Sequence, residues 1–454
     1  MIFSLLKKHR QLIVIILATT AVYLTVFGNQ FVIDDQYFIK DWPLTRSWSN
    51  AGQLLSGVNP ESQPGVYRPI RSLLYLAYYQ LWGTNPIGYH LHSLLVHLAS
   101  TILIYFIIKA LIKNSSLLPF TAGLLFGLHP IHTESITYIA AGMEMTGVVF
   151  FLAAFLAYLR HKNIWTVPLA LLAFFTYEIT LTLPFLLVLY ELTLGKRNWK
   201  KIWPIAAAAV GYLFVRIGLL QISPARGDYL AYSFYHTQLT MTKMWVKYLW
   251  LLIWPAALSH NQTIVPGFEA FMTPYSDRQA ILSQTLTDLP ILLSLATVGS
   301  LIFAAVRLRG KYPWLAFAVG WFFISLLPVA YFLPQGTAFA EKYLYLASFA
   351  FVFILARVLS KIKNLKLAFL AVLIIAVFYG ARTYTRNQNW QSPQTLWEYE
   401  ARIHPQSELA YYNLGIIYGA KGEKDKAAAA YQKALQLKPQ FWQAEHNLRN
   451  LWEN

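Results

Sequence analysis

The chain has 454 residues, with 37 Lys and Arg against 20 Asp and Glu, a formal net charge of +17. That length would suit several soluble domains and that charge a nucleic-acid surface, but composition excludes both. Charged residues make up 13% and hydrophobic ones 57%, about half of the roughly 25% charge that a water-facing surface carries. With no cysteine, disulfides, thiolate metal sites and cysteine nucleophiles are excluded too. The chain reads as an integral membrane protein.

A spanning helix needs about 20 mostly apolar residues. The first candidate is 11-28, preceded by Lys7, Lys8 and Arg10. It is long and lacks a small-residue cleavage site, so it reads as a retained anchor rather than a signal peptide. Further apolar stretches lie at 88-110, 116-129, 143-160, 163-177, 179-195, 201-220, 289-306, 312-333, 338-358 and 365-383. The expected fold is therefore all-α, a polytopic membrane bundle of about eleven helices. Basic clusters test the order: Lys109 with Lys113, Arg160 with Lys162, Lys196 to Lys201, Arg307 to Lys311, and Arg357 to Lys366 fall at alternate junctions. With the N-terminal three they hold 18 of the 37 basic residues and no acid. This positive-inside pattern puts the N-terminus in the cytoplasm, with a first outer loop at 29-87 and a long one at 222-288. Within the latter, 236-256 is interrupted by Lys243 and Lys247. It is expected to lie along the outer interface or re-enter, the alternative being two more crossings around it.

Composition changes after Trp390, where 391-454 carries seven basic and seven acidic residues. Tyr411, Leu414, Gly415, Tyr418, Ala427, Tyr431, Ala434 and Pro439 stand at tetratricopeptide-repeat spacing. Small Gly415 and Ala427 let two helices approach, large residues fill the groove, and the proline ends the second helix. The expected organisation is a membrane domain over 1-390 and an extracytoplasmic repeat domain over 391-454. Such a short array, below the roughly three repeats of a self-supporting stack, is expected to lean on its neighbour.

Ionisable residues near membrane segments default to functional hypotheses, and nearly all here fall on the outer side. They are Asp34 and Asp35, Tyr67 with Arg68, His90 and His92, His129, His132, Glu134 and Glu144, Glu178, His260, and Glu341 with Lys342. Outer loops carry polar residues anyway, which explains any one of them but explains the set less well. Adjacent Asp34 and Asp35 repel, which raises one pKa or invites a cation and suits a general base or a metal ligand; a solvated pair would look the same. The run from His129 to Glu134 offers metal-type ligands without helical i,i+4 spacing. Hydrogen bonding to a phosphate, or capping by Thr133, serves equally. Arg68 precedes Pro69 and is therefore extended, as suits reaching a phosphate or snorkelling to lipid headgroups. Asn261-Gln262-Thr263 fits a glycosylation acceptor.

Several blocks carry a resemblance: VIDDQ (32-36), YRPIRSLLY (67-75), NPIGYHLHSLLVHL (85-98), LLFGLHPIHTESITYI (124-139), YEITLTLPFLLVLYEL (177-192), YLWLLIWPAALS (248-259), EKYLYLAS (341-348) and RNQNWQSPQTLWE (386-398). In this order they resemble the GT-C membrane glycosyltransferases, in particular the transmembrane and tetratricopeptide-repeat O-mannosyltransferases and their bacterial relatives. The resemblance implies Asp34 as catalytic base with Asp35 supporting it. It implies Arg68 on the donor phosphate; by their chemistry Lys342 and His129 or His132 would join it in stabilising charge on the leaving phosphate. Tyr67, His90, Glu134, Glu144, Glu178 and Glu341 would bind or support the substrate. Two positions depart from the family pattern: Gly142 and Met143 stand where relatives often carry Arg before the Glu144 position, and Tyr177 where they often carry Lys before Glu178.

The implied reaction moves mannose or a similar hexose from a polyprenyl phosphate to a hydroxyl acceptor, on the extracytoplasmic face of a bacterial cytoplasmic membrane. A carboxylate takes the acceptor's proton, in-line attack inverts the anomeric centre, and cations stabilise the leaving phosphate. No metal or cofactor is required, though Asp34 and Asp35 leave a divalent cation open. The expected acceptor is Ser or Thr of an exported polypeptide, with a lipid or cell-surface glycan as alternative and no nucleic-acid partner. A non-catalytic scaffold recruiting partners through the repeat is the competing class. Transport is disfavoured because no ionisable residue sits mid-span.

Overall fold

The computed structural model describes residues 2–57, 65–112, 115, 117–225, 228–229, 232–260, 263–265, 268–269, 285–334, 337 and 339–452. Asn261 and Gln262 of the glycosylation pattern lie outside them. Every apolar stretch expected to span carries a helix: Ile2–Tyr23, Pro86–Leu111, Leu117–Leu128, Ile139–Leu159, Asn163–Phe174, Leu183–Thr193, Trp203–Leu213, Leu289–Leu308, Pro313–Leu326, Leu344–Leu359 and Leu365–Asn389. Seven helical segments among the described residues are long and apolar enough to cross a membrane, and Leu117–Leu128, Ile164–Phe174 and Pro313–Val329 are shorter apolar helices. The protein is thus a helical, multi-pass membrane protein; the expected eleven crossings exceed what helix lengths alone establish. A two-stranded antiparallel ribbon pairs Thr263–Val265 with Phe268–Glu269.

Local sequence sets the helix starts. Pro86 occupies the first turn of its helix, where a missing N–H costs nothing, and the Asn85 side chain accepts from the Ile87 amide at 3.1 Å. Asn364 caps Leu365–Asn389 in the same way through the amides of Lys366 and Leu367. These caps satisfy orphan donors at helix ends.

Burial sorts the helices into layers. The apolar window of Ile139–Leu159 is 83% buried inside the protein, whereas that of Leu289–Leu308 is only 17% buried. The outer helix leaves Leu289, Leu293, Phe303 and Val306 exposed. So much apolar surface is untenable in water and natural against lipid. At the centre, Phe151, Phe155, Phe317, Trp321 and Phe349 form a continuous aromatic contact, with Trp321 and Phe349 ring centroids 4.4 Å apart.

Segment 236-256 forms one helix, Phe234–Ile253, which is not among the segments apolar enough to cross. Its buried face, Met241, Met244, Tyr248 and Leu251, joins the main core. Tyr248 stacks on Phe339 at 4.2 Å, and the helix delivers the following Ser259 and His260 to a buried junction.

The C-terminal segment is helical throughout, with Pro393–Ile403, Glu408–Ala420, Lys424–Leu437 and Trp442–Asn450. Ser392 opens it with a reciprocal capping box to Thr395. A Cβ added to Gly415 would run into the Tyr431 ring, the close approach that the repeat spacing implies. The segment contacts the rest of the protein: Leu396 shares a core with Phe31, Val32, Phe38, Tyr75, Tyr138, Ile139 and Trp390. The Gln30 amide donates to the Gln391 carbonyl at 2.9 Å, tying the first loop to the start of the tail.

Candidate active site

The site is built where several helices begin. Arg68 immediately precedes helix Pro69–Trp82, and Arg71 lies in its first turn. Glu144 lies in the second turn of Ile139–Leu159, Glu178 opens the short turn Glu178–Thr182, and Glu341 and Lys342 open another, Glu341–Tyr343. Arg68 pairs with Glu144 and, through Nε at 2.5 Å, with Glu178. Glu144 also takes Lys342 Nζ at 3.1 Å and Arg71 Nη1 at 3.3 Å. Arg216 Nη1 lies 3.8 Å from Glu178.

Four cations therefore surround two carboxylates, a net charge of +2. Such a cluster sits badly in a dry interior unless a further anion completes it. The Nε and Nη2 of Arg71, fully buried, have no hydrogen-bond partner among the described residues. Lys342 is the most exposed of the cations, with 19% of its side chain accessible. Burial opposes charge on Arg68, but Glu144 and Glu178, with Tyr177 adding to them, more than offset it and hold its pKa above the ordinary value. Its guanidinium also lies 4.9 Å from the Tyr177 ring centroid.

The two aspartates have separate environments. Asp35 is fully buried and accepts from the amides of Ala140 at 2.8 Å, Val32 at 3.2 Å and Ile139 at 3.4 Å. Burial pushes its pKa well up; Ala140 and Val32 pull it down, Asp34 raises it, and Ile139 lowers it. Asp34 is half-buried and hydrogen-bonds the Tyr138 hydroxyl. Lys342 Nζ lies 5.9 Å from the Tyr138 ring centroid, so Tyr138 bridges Asp34 to the cationic cluster. Three of the acceptor positions of the Asp35 carboxylate are taken by backbone donors. No group of three or more His, Asp or Glu among the described residues is arranged to hold a metal.

Glu134 is buried beneath this cluster. One of its oxygens faces His260 Nδ1 at 3.0 Å and the other accepts from the Lys342 amide at 3.0 Å. The carboxylate of Glu341, also buried, accepts from the Ser259 amide at 2.6 Å.

Other expected residues stand apart. His129 accepts from the Ile131 amide and donates to the Leu252 carbonyl. His132 bridges the Phe126 carbonyl and Ser348 Oγ. Both rings are fully buried with both nitrogens engaged, packed against Phe126, Tyr345, Phe351 and Tyr379. The phosphate-binding role expected of this histidine pair would require both rings to exchange these partners. His90 is buried beside the Asn29 backbone, and His92 pairs with Tyr78 and Thr146. Tyr67 donates to the Leu55 carbonyl, while its own carbonyl accepts from Tyr212.

Sequence reasoning missed Arg71, Arg216 and Tyr138. Arg71 had a signal, since it stands one helical turn after Arg68 in an otherwise apolar segment. Arg216, inside an apolar run, was the kind of residue that membrane burial makes costly.

Fold and site together define a multi-pass membrane protein with a buried, net-cationic cluster near the half-buried Asp34, braced by a repeat-bearing tail. Residues 409–441 match the tetratricopeptide repeat family. Along nearly its whole length the chain is similar to protein O-mannosyl-transferases. It is 25% identical to protein O-mannosyl-transferase F38B6.6 of Caenorhabditis elegans, covering 96% of this chain and 64% of that protein. It is 23% identical to human protein O-mannosyl-transferase TMTC3, covering 98% of this chain and 53% of that one. With human TMTC2 the identity is 26%, over 91% of this chain and 61% of that protein. The resemblance read from the sequence motifs is thus borne out, with the chain spanning between about half and two thirds of the length of these relatives. No solved structure matches.

Proposed function

We propose that the protein is an inverting glycosyltransferase that moves a hexose, mannose by its resemblance, from polyprenyl phosphate to a Ser or Thr hydroxyl of an exported polypeptide. The observation that carries this reading is the juxtaposition of Asp34 with a buried cluster of net charge +2, joined through Tyr138 and Lys342. A phosphate monoanion or dianion is the counter-ion such a cluster lacks, and Arg71 and Lys342 hold donors suited to it. The acceptor oxygen attacks the anomeric carbon from the face opposite the phosphate and the carbon–oxygen bond to the phosphate breaks. Asp34 takes the hydroxyl proton, and polyprenyl phosphate departs with the bonding electrons. The cluster stabilises the charge growing on the leaving oxygen. Asp35, held by its three amides, fixes the loop and leaves Asp34 as the base.

The same reading places the cluster and tail on the extracytoplasmic side of a bacterial cytoplasmic membrane, with the N-terminus inside. The tail and the names of the relatives support a polypeptide acceptor.

The test supplies purified protein with polyprenyl-phospho-mannose and Ser/Thr peptides. Asp34→Asn is expected to lower transfer by about 10²–10⁴-fold, the usual worth of a general base, with donor binding retained. Equal rates for wild type and variant would remove Asp34 from the reaction. Transfer to lipid but never to peptide would overturn the acceptor.

A further inference from the structure

Glu400 lies on the first helix of the tail, Pro393–Ile403, far in sequence from the cationic cluster, yet only 1% of it is exposed. Its carboxylate accepts from Ser259 Oγ at 2.5 Å and from the His260 amide at 3.0 Å, with Arg386 Nη2 at 3.7 Å. His260 Nδ1 reaches Glu134, and Glu134 in turn holds the backbone amide of Lys342, whose Nζ pairs with Glu144. Packing follows the same line. The His260 ring makes edge contacts with Trp390 and Trp397, and Trp390 stacks on Tyr138, the partner of Asp34. Tyr399 adds a hydrogen bond to the Leu258 carbonyl at 3.0 Å.

We infer that Glu400 is a positioning residue for the transferase site: through Ser259, His260 and Glu134 the tail sets the placement of Lys342. This rests on the reading of Lys342 as a donor-phosphate ligand. The carboxylate at 400 accepts from the Ser259 hydroxyl and the His260 amide and brings its charge to Arg386. A glutamine keeps an acceptor oxygen but loses the charge facing Arg386, weakening the hold on the 258–260 segment that keeps Glu134 in place. The tail is then part of the active site's architecture as well as a candidate peptide-binding surface.

The experiment uses the full-length protein in detergent, with Glu400→Gln, Ser259→Ala, Glu134→Gln and the double variant Glu400→Gln/Glu134→Gln. Glu398→Gln, on the outer face of the same helix where Glu398 meets Gln394 and Tyr418, is the control. Two quantities are read: the labelling rate of Lys342 by an amine-reactive reagent, followed by mass spectrometry, and the affinity for polyprenyl phosphate. Glu400→Gln and Ser259→Ala are expected to raise Lys342 labelling several-fold. Glu400→Gln should weaken polyprenyl phosphate binding by about ten- to a hundredfold, the worth of one hydrogen bond to a charged group. In the double variant the two effects should not add, because they act in series. If Glu400→Gln does not fold, Ser259→Ala, which removes only the hydroxyl link, carries the test. Unchanged labelling, unchanged affinity despite changed labelling, additive effects, or an equal response in Glu398→Gln would each overturn the inference. If labelling responds as expected while the wild type binds no polyprenyl phosphate, the link from tail to Lys342 stands and the transferase reading fails.

Discussion

Glu144 offers the sharpest test of the cluster, because three cations converge on one carboxylate whose side chain is 4% exposed. Glu144→Gln preserves size and removes the charge, taking the cluster of Arg68, Arg71, Arg216, Lys342 and Glu178 from a net +2 to +3. Breaking a buried ion pair by removing one partner costs about 3–5 kcal/mol, and the variant should lose stability on that scale. The same change should strengthen binding of an anion, which then supplies the missing negative charge. If the affinity for polyprenyl phosphate tightens tenfold, a fixed saturating concentration of it adds about 1.4 kcal/mol more stabilisation to the variant than to the wild type. Thermal unfolding in detergent, with and without polyprenyl phosphate, reads both quantities. Glu191→Gln is the comparison: Glu191 is similarly buried and accepts from Tyr158 and the Asn198 amide, outside the cluster. It should lose stability without any larger response to ligand. A stable Glu144→Gln protein, or one whose ligand response matches or falls below that of the wild type, would refute the counter-ion argument.

Two further outcomes follow from the geometry. Burial, reinforced by Asp34, makes Asp35 hold its proton to higher pH in the folded chain than at its ordinary value of 3.8. The stabilisation is therefore complete below that value and is lost as pH rises through the raised one; Asp35→Asn should flatten the fall in melting temperature over that window, and equal slopes would refute the assignment. His132→Phe removes ring nitrogens that bond Phe126 and Ser348; it should cost about 1–3 kcal/mol of stability and leave polyprenyl phosphate affinity unchanged, so a lost affinity would return His132 to the site.

The bundle was legible because its signals are local. Apolar run length locates each helix, the proline and asparagine at 85-86 fix a start, and the Gly415 and Ala427 spacing describes a helix hairpin. The separation of buried from lipid-facing helices was not legible, since Ile139–Leu159 and Leu289–Leu308 are both predominantly apolar and packing distinguishes them. The same limit explains the site. Acidic Glu144 and Glu178 stood out against apolar surroundings, but their partners Arg71 and Arg216 are set by tertiary contact. His129 and His132 show the same limit: the sequence shows a polar motif in an apolar segment, and only the fold shows both rings bonded to carbonyls at helix ends.

Ile33, next to Asp34, has φ of +51°, a left-handed conformation in which a β-branched side chain is a genuine outlier. Such a residue costs of order 1–3 kcal/mol and persists only where its surroundings over-determine it. Here they do. Ile33 packs against the loop core of Phe31, Val32, Trp390 and Leu396 and equally against the tail core of Trp397, Ala410, Leu414 and Ala430. The Asp35 carboxylate pins the other side of the turn to Ile139 and Ala140. The strained residue is thus clamped between the membrane bundle and the tail, and Asp34 is what the clamp presents to Tyr138 and the cluster. Replacing Ile33 with glycine would relax the backbone while removing its packing contacts with both cores. Asp34 would then keep its chemistry and lose its fixed position, and kcat should fall with little change in donor affinity. An unchanged kcat in a folded Ile33→Gly protein would show that the turn serves the fold alone.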